Sequence, residues 1–492
     1  MSTSEHKGAS LASIIINLSN TVIGAGILSL PYAMKQCGLI MGFLIIILVA
    51  VLSAIGYAFL VIPAEHWKQM SFVGLAKLLL PRSNTDSSTI LESRKLLGDD
   101  ETDEVVTNSK PISSSSSSAL DQESESNRNG TDTVADQARS SLLDSTELPD
   151  ALVHTTPSDG TSFVSTHLPR SFGSILCEIF VCGYTAGACC SYPIIVTNYI
   201  PRVVSSIVGD NVSDEWYVNK VFTAPIFGIL ILLPLSMTLT VDFLKFTSSI
   251  SLICVLICVI QIVQYFIRTC MGEYSWGHGD IVLFSKNASA TFQAIPTICF
   301  AYTAHYAVLN MYAEMRDRNS TRMIKGACLS ETCVSLCYFV IAGLGYATWR
   351  DDTQGNVLLS YPNNAMTTIS QCALALTACL TYPIAQFSLR VSLCKLVWKS
   401  RGSPSAERFI SGIILAIAIL VAMCVEDLDT VLSFVGALFG APIMFIIPGL
   451  FMYFHNKRTR NLRWVTVTSI ITMLAGLFFC IVGFVCSILE CL

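Results

Sequence analysis

Eleven stretches of mostly apolar residues, each long enough to cross a bilayer as a helix, constrain this chain more than anything else in it. They fall at 11–34, 40–63, 173–199, 220–240, 246–268, 289–313, 326–348, 367–393, 409–425, 430–454 and 465–489. A hydrocarbon core of about 30 Å takes roughly 20 apolar residues in helical form. Inside it every backbone N–H and C=O must find a partner within the protein. The expected class is therefore an all-α integral membrane protein with eleven transmembrane helices. Composition agrees, since only 13% of residues are charged where soluble domains carry about 25%. A net charge of −5 over 492 residues gives no reason to expect a nucleic-acid partner. The 19 cysteines sit largely inside apolar runs such as GACCSY and LICVLIC, where they act as small hydrophobes. Neither a disulfide framework nor a metal-ligand spacing follows from them.

Basic residues set the expected orientation. Arg316, Arg318, Arg322 and Lys325 lie between spans six and seven, Lys395, Lys399, Arg401 and Arg408 between eight and nine, and Lys457, Arg458, Arg460 and Arg463 between ten and eleven. All three loops fall on one side, which the positive-inside rule makes the cytosol. Residues 1–10 are then a cytosolic N-terminus, polar and without the basic region or cleavage site of a removable signal peptide. Residues 11–81 hold spans one and two and the start of a cytosolic loop, and residues 171–492 hold spans three to eleven. Between them, residues 82–170 are rich in Ser, Asp, Glu and Thr, with SSSSSS at 113–118, and are expected to be a disordered cytosolic insertion. Within it, Glu92-Ser-Arg-Lys-Leu96-Leu97 matches the acidic dileucine pattern read by sorting adaptors. That tilts the address toward a vacuolar or lysosomal membrane, with the plasma membrane as the alternative. The sequons at Asn211 and Asn287 fall on the face where glycosylation occurs, whereas the one at Asn129 does not.

Span one departs from an ordinary apolar helix. NLSNTVIGAGILSLPYA, residues 17–33, puts two glycines, a proline and several small polar residues in mid-membrane. A span can unwind there only where it is buried in protein or lines a cavity. In transporters built from inverted repeats, half-helix N-termini face an anionic group at such a break while freed carbonyls hold a cation. A matching interruption is expected in the other half. Span six supplies one, because AIPTICFAYTAHYAVLNMY, residues 294–312, combines Pro296 with small polar residues and His305. Spans one and six would begin two repeats of five, with span eleven appended.

These segments, together with GYATWRDDTQGNVLLSYP, TYPIAQFSLR and FVGALFGAPIMFIIPGLF, resemble the amino acid/auxin permease family. The likeness is to its sodium-coupled neutral amino acid transporters and the vacuolar amino acid transporters of fungi. The resemblance implies the leucine-transporter-type fold of the APC superfamily: five plus five inverted repeats and one further span. It implies a secondary active transporter of amino acids, neutral ones in particular, coupled to sodium or protons and working by alternating access. No other cofactor is called for. The carboxylate of a zwitterionic substrate would take backbone N–H groups near Gly24, Ala25 and Gly26, helped by the Thr21 hydroxyl, since a Cβ there would hold the ligand off. Its ammonium would face carbonyls around Phe300, Ala301 and Thr303.

Similarity to the sodium-coupled members places the ion at Asn20 and the Ile23 carbonyl, facing Thr377 and Thr381, which share one face of span eight. The family's usual threonine two residues before Thr381 is replaced by Cys379, a softer and poorer sodium ligand. His305, a titratable group inside a span, is the alternative proton site. Glu178, Glu314 and Glu331 are expected near the cytosolic face as gate or interface ion pairs, with Arg390 or Lys325 as partners. With no Walker motif, no GxSxG elbow and no metal-ligand cluster, an enzyme is not expected. The other function considered is an amino-acid-sensing receptor with a transporter body and little flux.

Overall fold

The computed structural model describes residues 9–80, 172–209, 215–237, 244–398, 403–425 and 427–491. The expected insertion at 82–170, its dileucine residues Glu92, Leu96 and Leu97, and the sequon at Asn211 lie outside the described residues. All elements among the described residues are helical, and the sole β-type contact among them is an isolated parallel bridge between Ala9 and Met315.

Among the described residues, eight helices are long and apolar enough to cross a membrane. They are α3 (Leu39–His66), α5 (Phe172–Val208), α7 (Leu244–Cys270), α10 (Ser320–Trp349), α11 (Ala365–Trp398), α12 (Pro404–Cys424), α13 (Leu428–Thr459) and α14 (Arg463–Cys491). The shorter helices are α1 (Leu11–Ile23), α2 (Leu30–Cys37), α4 (Phe72–Leu79), α6 (Lys220–Ser236), α8 (Ala288–Tyr302) and α9 (His305–Glu314). Expected span one is thus divided between α1 and α2, and expected span six between α8 and α9. Expected span four is the short α6.

The start signals are those that helix ends require. Ser10 accepts from Ser13 N, Ser71 from Gly74 N, Asn319 from Thr321 N and Ser403 from Ala406 N. Each satisfies an orphan donor of the first turn. Amphipathicity barely operates, because the helices are apolar all round, and inside differs from outside by what each face touches. In α5 and α13, 67% of the most apolar stretch is buried; in α3 and α14 the share is 33%. The outer faces of α3 and α14 carry Leu44, Ile47, Leu48, Val51, Ile471, Leu474 and Ile481, all exposed. Such rows suit acyl chains.

The centre belongs to the broken pairs. The α1 helix packs along α10; α8 packs against α2, α13 and α14; α5 lies against α11 and α12. Two π segments, Gly436–Gly440 and Pro442–Ile446, widen α13. A Cβ on Gly436 would collide with the Pro296 carbonyl oxygen, and one on Gly440 would sit 3.2 Å from Thr303 Oγ1. The widened helix therefore closes on the α8 side of the break.

Candidate functional site

The α1 helix ends at Ile23. Gly24 leaves helical geometry with φ 11° and ψ −153°, and Ala25–Leu28 form a 3-10 turn before α2 starts near Pro31. Proline fits the first turn of α2 because its missing N–H would have no helical partner there. The α8 helix ends at Tyr302; Thr303 is extended, Ala304 lies outside both helices, and α9 starts at His305.

The two interruptions touch. A Cβ on Gly26 would stand 2.6 Å from Ala301 Cα and 2.7 Å from its Cβ. Glycine is needed at 26 so that the two backbones can meet, whereas sequence reasoning wanted it for the approach of a ligand. Gly24 differs, since its nearest neighbours would be Thr21 O at 3.8 Å and the Tyr192 hydroxyl at 3.9 Å. Of the two glycines, it is the one where a methyl would meet only ordinary contacts.

The carbonyls freed at the end of α8 are met inside the protein. Thr303 donates from Oγ1 to Cys299 O at 2.6 Å and from its N–H to Phe300 O at 3.2 Å. The Tyr184 hydroxyl on α5 also donates to Phe300 O, at 3.1 Å, and Ala304 N donates to Tyr302 O at 3.1 Å. Tyr338 on α10 completes the set, its hydroxyl lying 2.8 Å from Ala301 O and 2.9 Å from Val22 O. A tyrosine hydroxyl carries one proton. It donates to one carbonyl at a time, so Tyr338 straddles both broken helices with a bond that can pass from one to the other. Tyr302 extends the link, its hydroxyl 2.8 Å from Ser335 Oγ on the same helix as Tyr338. Aromatic rings fill the surrounding space: Tyr184 packs on Phe300 and Tyr306 at centroid distances of 5.2 and 5.4 Å.

The remaining expected site residues divide into groups. Asn20 is buried and donates from Nδ2 to Ser248 Oγ on α7 at 3.4 Å, and Ile23 is buried beside the break. The hydroxyls of Thr21, Thr377 and Thr381 each turn back to the carbonyl four residues earlier, at 2.8, 3.2 and 2.8 Å. Such back-bonding meets a hydroxyl's need for an acceptor in an apolar helix, and the described hydrogen bonds do not join Asn20 to either α11 threonine.

His305 is fully buried, stacked on Tyr57 with centroids 4.0 Å apart, and its Nε2 lies 3.1 Å from Ser53 O. A carbonyl only accepts, so Nε2 carries the proton and Nδ1 keeps its lone pair. Asn287 is exposed and caps α8, accepting at Oδ1 from Ser289 N and Ala290 N. The expected partnership of Glu331 with Arg390 is not formed. Arg390 Nε pairs with Glu407 Oε2 at 3.6 Å, while both Glu331 oxygens lack a hydrogen-bond partner among the described residues. The physical reason is which helices pack together: both side chains are buried, but α11 lies against α12 and α6, so Arg390 finds Glu407, Ser411 and Ser236 there, while Glu331 on α10 is enclosed elsewhere.

Sequence reasoning missed Tyr184, Tyr192, Ser248 and Tyr338. A tyrosine inside an apolar run announces a hydroxyl in search of an acceptor, but which backbone oxygen it finds depends on tertiary packing. A groove of about 440 Å³ on α7, lined by Val259, Val263, Ile267 and Arg268 among others, includes none of the break residues.

Residues 7–81 and 164–489 match the family described as transmembrane amino acid transporter protein. Sodium-coupled neutral amino acid transporter 7 of Xenopus laevis is 26% identical over 289 residues, 56% of this chain and 63% of that relative. The Homo sapiens protein of the same name is 25% identical over 290 residues, 56% and 62% of the two chains. The Danio rerio protein is 24% identical over 331 residues, 62% and 68%. The match thus spans less than two thirds of the frog and human relatives. Since the family match runs through both interrupted helix pairs and the tyrosines that bind them, the chain belongs to the amino acid/auxin permease family of transmembrane amino acid transporters.

Proposed function

We propose that this protein is a secondary active transporter of neutral amino acids, driven by a sodium or proton gradient and working by alternating access. One observation carries the reading: two helices stop in apolar surroundings and meet at Gly26 and Ala301, in a chain of a transporter family. Interrupted backbone inside a membrane is tolerated where it is buried in protein or lines a cavity, and transporters built from inverted repeats place substrate and ion at such breaks. The frog and human relatives, named as sodium-coupled neutral amino acid transporters, support both substrate class and cation coupling.

In this reading the substrate lies beside Gly24 and Ala25, its carboxylate on the N–H groups of the 3-10 turn. Its ammonium exchanges with the tyrosine hydroxyls for the carbonyls of Phe300 and Ala301. Substrate would thereby take over hydrogen bonds that Tyr184 and Tyr338 hold in its absence, loosening the joint between the broken helices. The eleven-span, five-plus-five arrangement, with the N-terminus in the cytosol, follows from the paired breaks and the basic loops. A vacuolar or lysosomal address rests on Glu92, Leu96 and Leu97, with sorting adaptors as partners. Asn20 and the Ile23 carbonyl are the proposed sodium ligands, joined by Thr381 and Thr377 once their hydroxyls rotate off their own helix.

The test is uptake of radiolabelled neutral amino acids into proteoliposomes, with sodium and pH gradients imposed separately. Saturable flux that needs one gradient is the expected result, with Asn20→Ala weakening any sodium dependence. Saturable binding without flux would overturn transport in favour of a sensor.

A further inference from the structure

Glu331 lies on α10 with 3% of its surface exposed, and neither carboxyl oxygen has a hydrogen-bond partner among the described residues. Groups from four other elements face it or adjoin its immediate neighbours. From α3 come the hydroxyls of Ser53 and Tyr57, close to the carboxyl and, like it, without a partner in full hydrogen-bond geometry among the described residues. Tyr302 of α8, and Tyr338 and Cys328 of α10 itself, lie within electrostatic range of it. On α9, His305 adjoins the same pocket through its stacking on Tyr57 and its bond to Ser53 O. From α1, Ser19 adjoins the neighbouring residue, its hydroxyl lying 2.8 Å from that of Ser330.

Charged groups on these and other packed elements are engaged elsewhere. Lys35 of α2 donates to Thr353 O, Arg268 of α7 pairs with Glu273, and Glu65 of α3 accepts from Tyr312 and Ser320 N. Lys325, earlier on α10, is exposed.

An ionised carboxylate in such a place, without cation or complete hydrogen bonds, costs several kcal/mol. As a neutral acid the same group has one donor and two hydroxyls at hand to accept it. The surroundings also suit release, because the hydroxyls of Ser53 and Tyr57 can turn to donate to a carboxylate once water reaches it. Position connects the group to the breaks. Glu331, Ser335 and Tyr338 fall at i, i+4 and i+7, one face of α10. The carboxyl is one turn from the Ser335–Tyr302 contact and two turns, about 10 Å, from the hydroxyl that spans Val22 and Ala301.

We propose that Glu331 is the proton-binding site that couples this transporter, its carboxyl protonated in the arrangement described here and exchanging that proton with water when the helices around it part. The O–H bond forms and breaks at a Glu331 oxygen, with water as proton source and acceptor, and the rest of the site is chemically unchanged. The proposal rests on the transport reading above and selects protons as the coupling ion.

The test uses the full chain in liposomes holding a pH-sensitive dye, with no sodium gradient and a mixture of labelled neutral L-amino acids as probe. Wild type should acidify the lumen as it takes up label. E331Q should lose both this acidification and accumulation driven by a pH gradient, yet still exchange internal for external label, which requires no net proton movement. E331D should keep the coupling. E331Q that acidifies like wild type, or wild-type uptake without acidification, overturns the proton site; wild type that moves no amino acid overturns the transport reading instead. Should E331Q neither couple nor exchange, infrared spectroscopy decides: a protonated-carboxyl band present in wild type and missing from E331Q supports the proposal, and its absence from wild type overturns it.

Discussion

A single tyrosine ties the centre of this protein together. Tyr338 reaches Val22 O and Ala301 O from α10, so two broken helices from distant parts of the chain share one hydroxyl. Leaving a buried carbonyl without its donor costs about 1–3 kcal/mol, and Tyr338→Phe should lower thermal stability in detergent by about that much. It should also cut uptake more than surface expression, since the joint between the breaks goes with the hydroxyl. The two glycines separate packing from ligand access. Gly26→Ala drives a methyl into Ala301 backbone and should cost about 1–3 kcal/mol as an overpacked contact, visible as a lower melting temperature. Gly24→Ala has room, so it should melt close to wild type while altering uptake kinetics. Glycine in a membrane span was legible as a residue type, but the sequence does not distinguish a glycine pressed against another helix from one with room for a methyl.

Among the helices, the long apolar ones were the most legible, because hydrophobic length is a property of the chain alone. The α3 helix runs Leu39–His66 where 40–63 was expected, and α12 runs Pro404–Cys424 against 409–425. The α5 helix shows where such reading stops short, continuing to Val208 although Pro193 and Pro201 lie within it. Its Thr197 hydroxyl donates back to Pro193 O at 2.8 Å, the i−4 bond that a threonine makes inside an apolar helix. A polar tie joins α11 to α12 and α6: Arg390 pairs with Glu407, donates to Ser411 Oγ at 2.9 Å and reaches Ser236 O at 3.4 Å. Glu407→Gln takes the carboxylate from a guanidinium that is 1% exposed. A buried ion pair broken from one side costs about 3–5 kcal/mol, so this variant should melt well below wild type and express poorly. The partnership was unreadable beforehand, because charge type gives no spatial address; sequence reasoning considered Glu331 for Arg390.

On the scale of the molecule, exposed rows on α3 and α14 surround a centre in which almost every freed carbonyl of α8 is engaged. Backbone bonds satisfied there by tyrosine hydroxyls are held from other helices, whereas those inside a helix close within one element. Asn287 tests orientation. It is exposed, and its Oδ1 caps α8 while its nitrogen remains available. Asn287→Gln should remove one glycan step on a gel when the protein is made in a eukaryotic membrane, and an unchanged pattern would argue against the assigned facing of that loop.

Apolar length, the balance of basic loops and the two polar interruptions were settled by the order of residues, because the cost of an unpaired peptide group in hydrocarbon acts on any chain, whatever its neighbours. Tertiary packing decided which oxygen each tyrosine holds, which glycine is pressed against a backbone, and that Glu331 is enclosed without a counter-charge. Those outcomes depend on distances between helices far apart in sequence, and no local pattern carries that information.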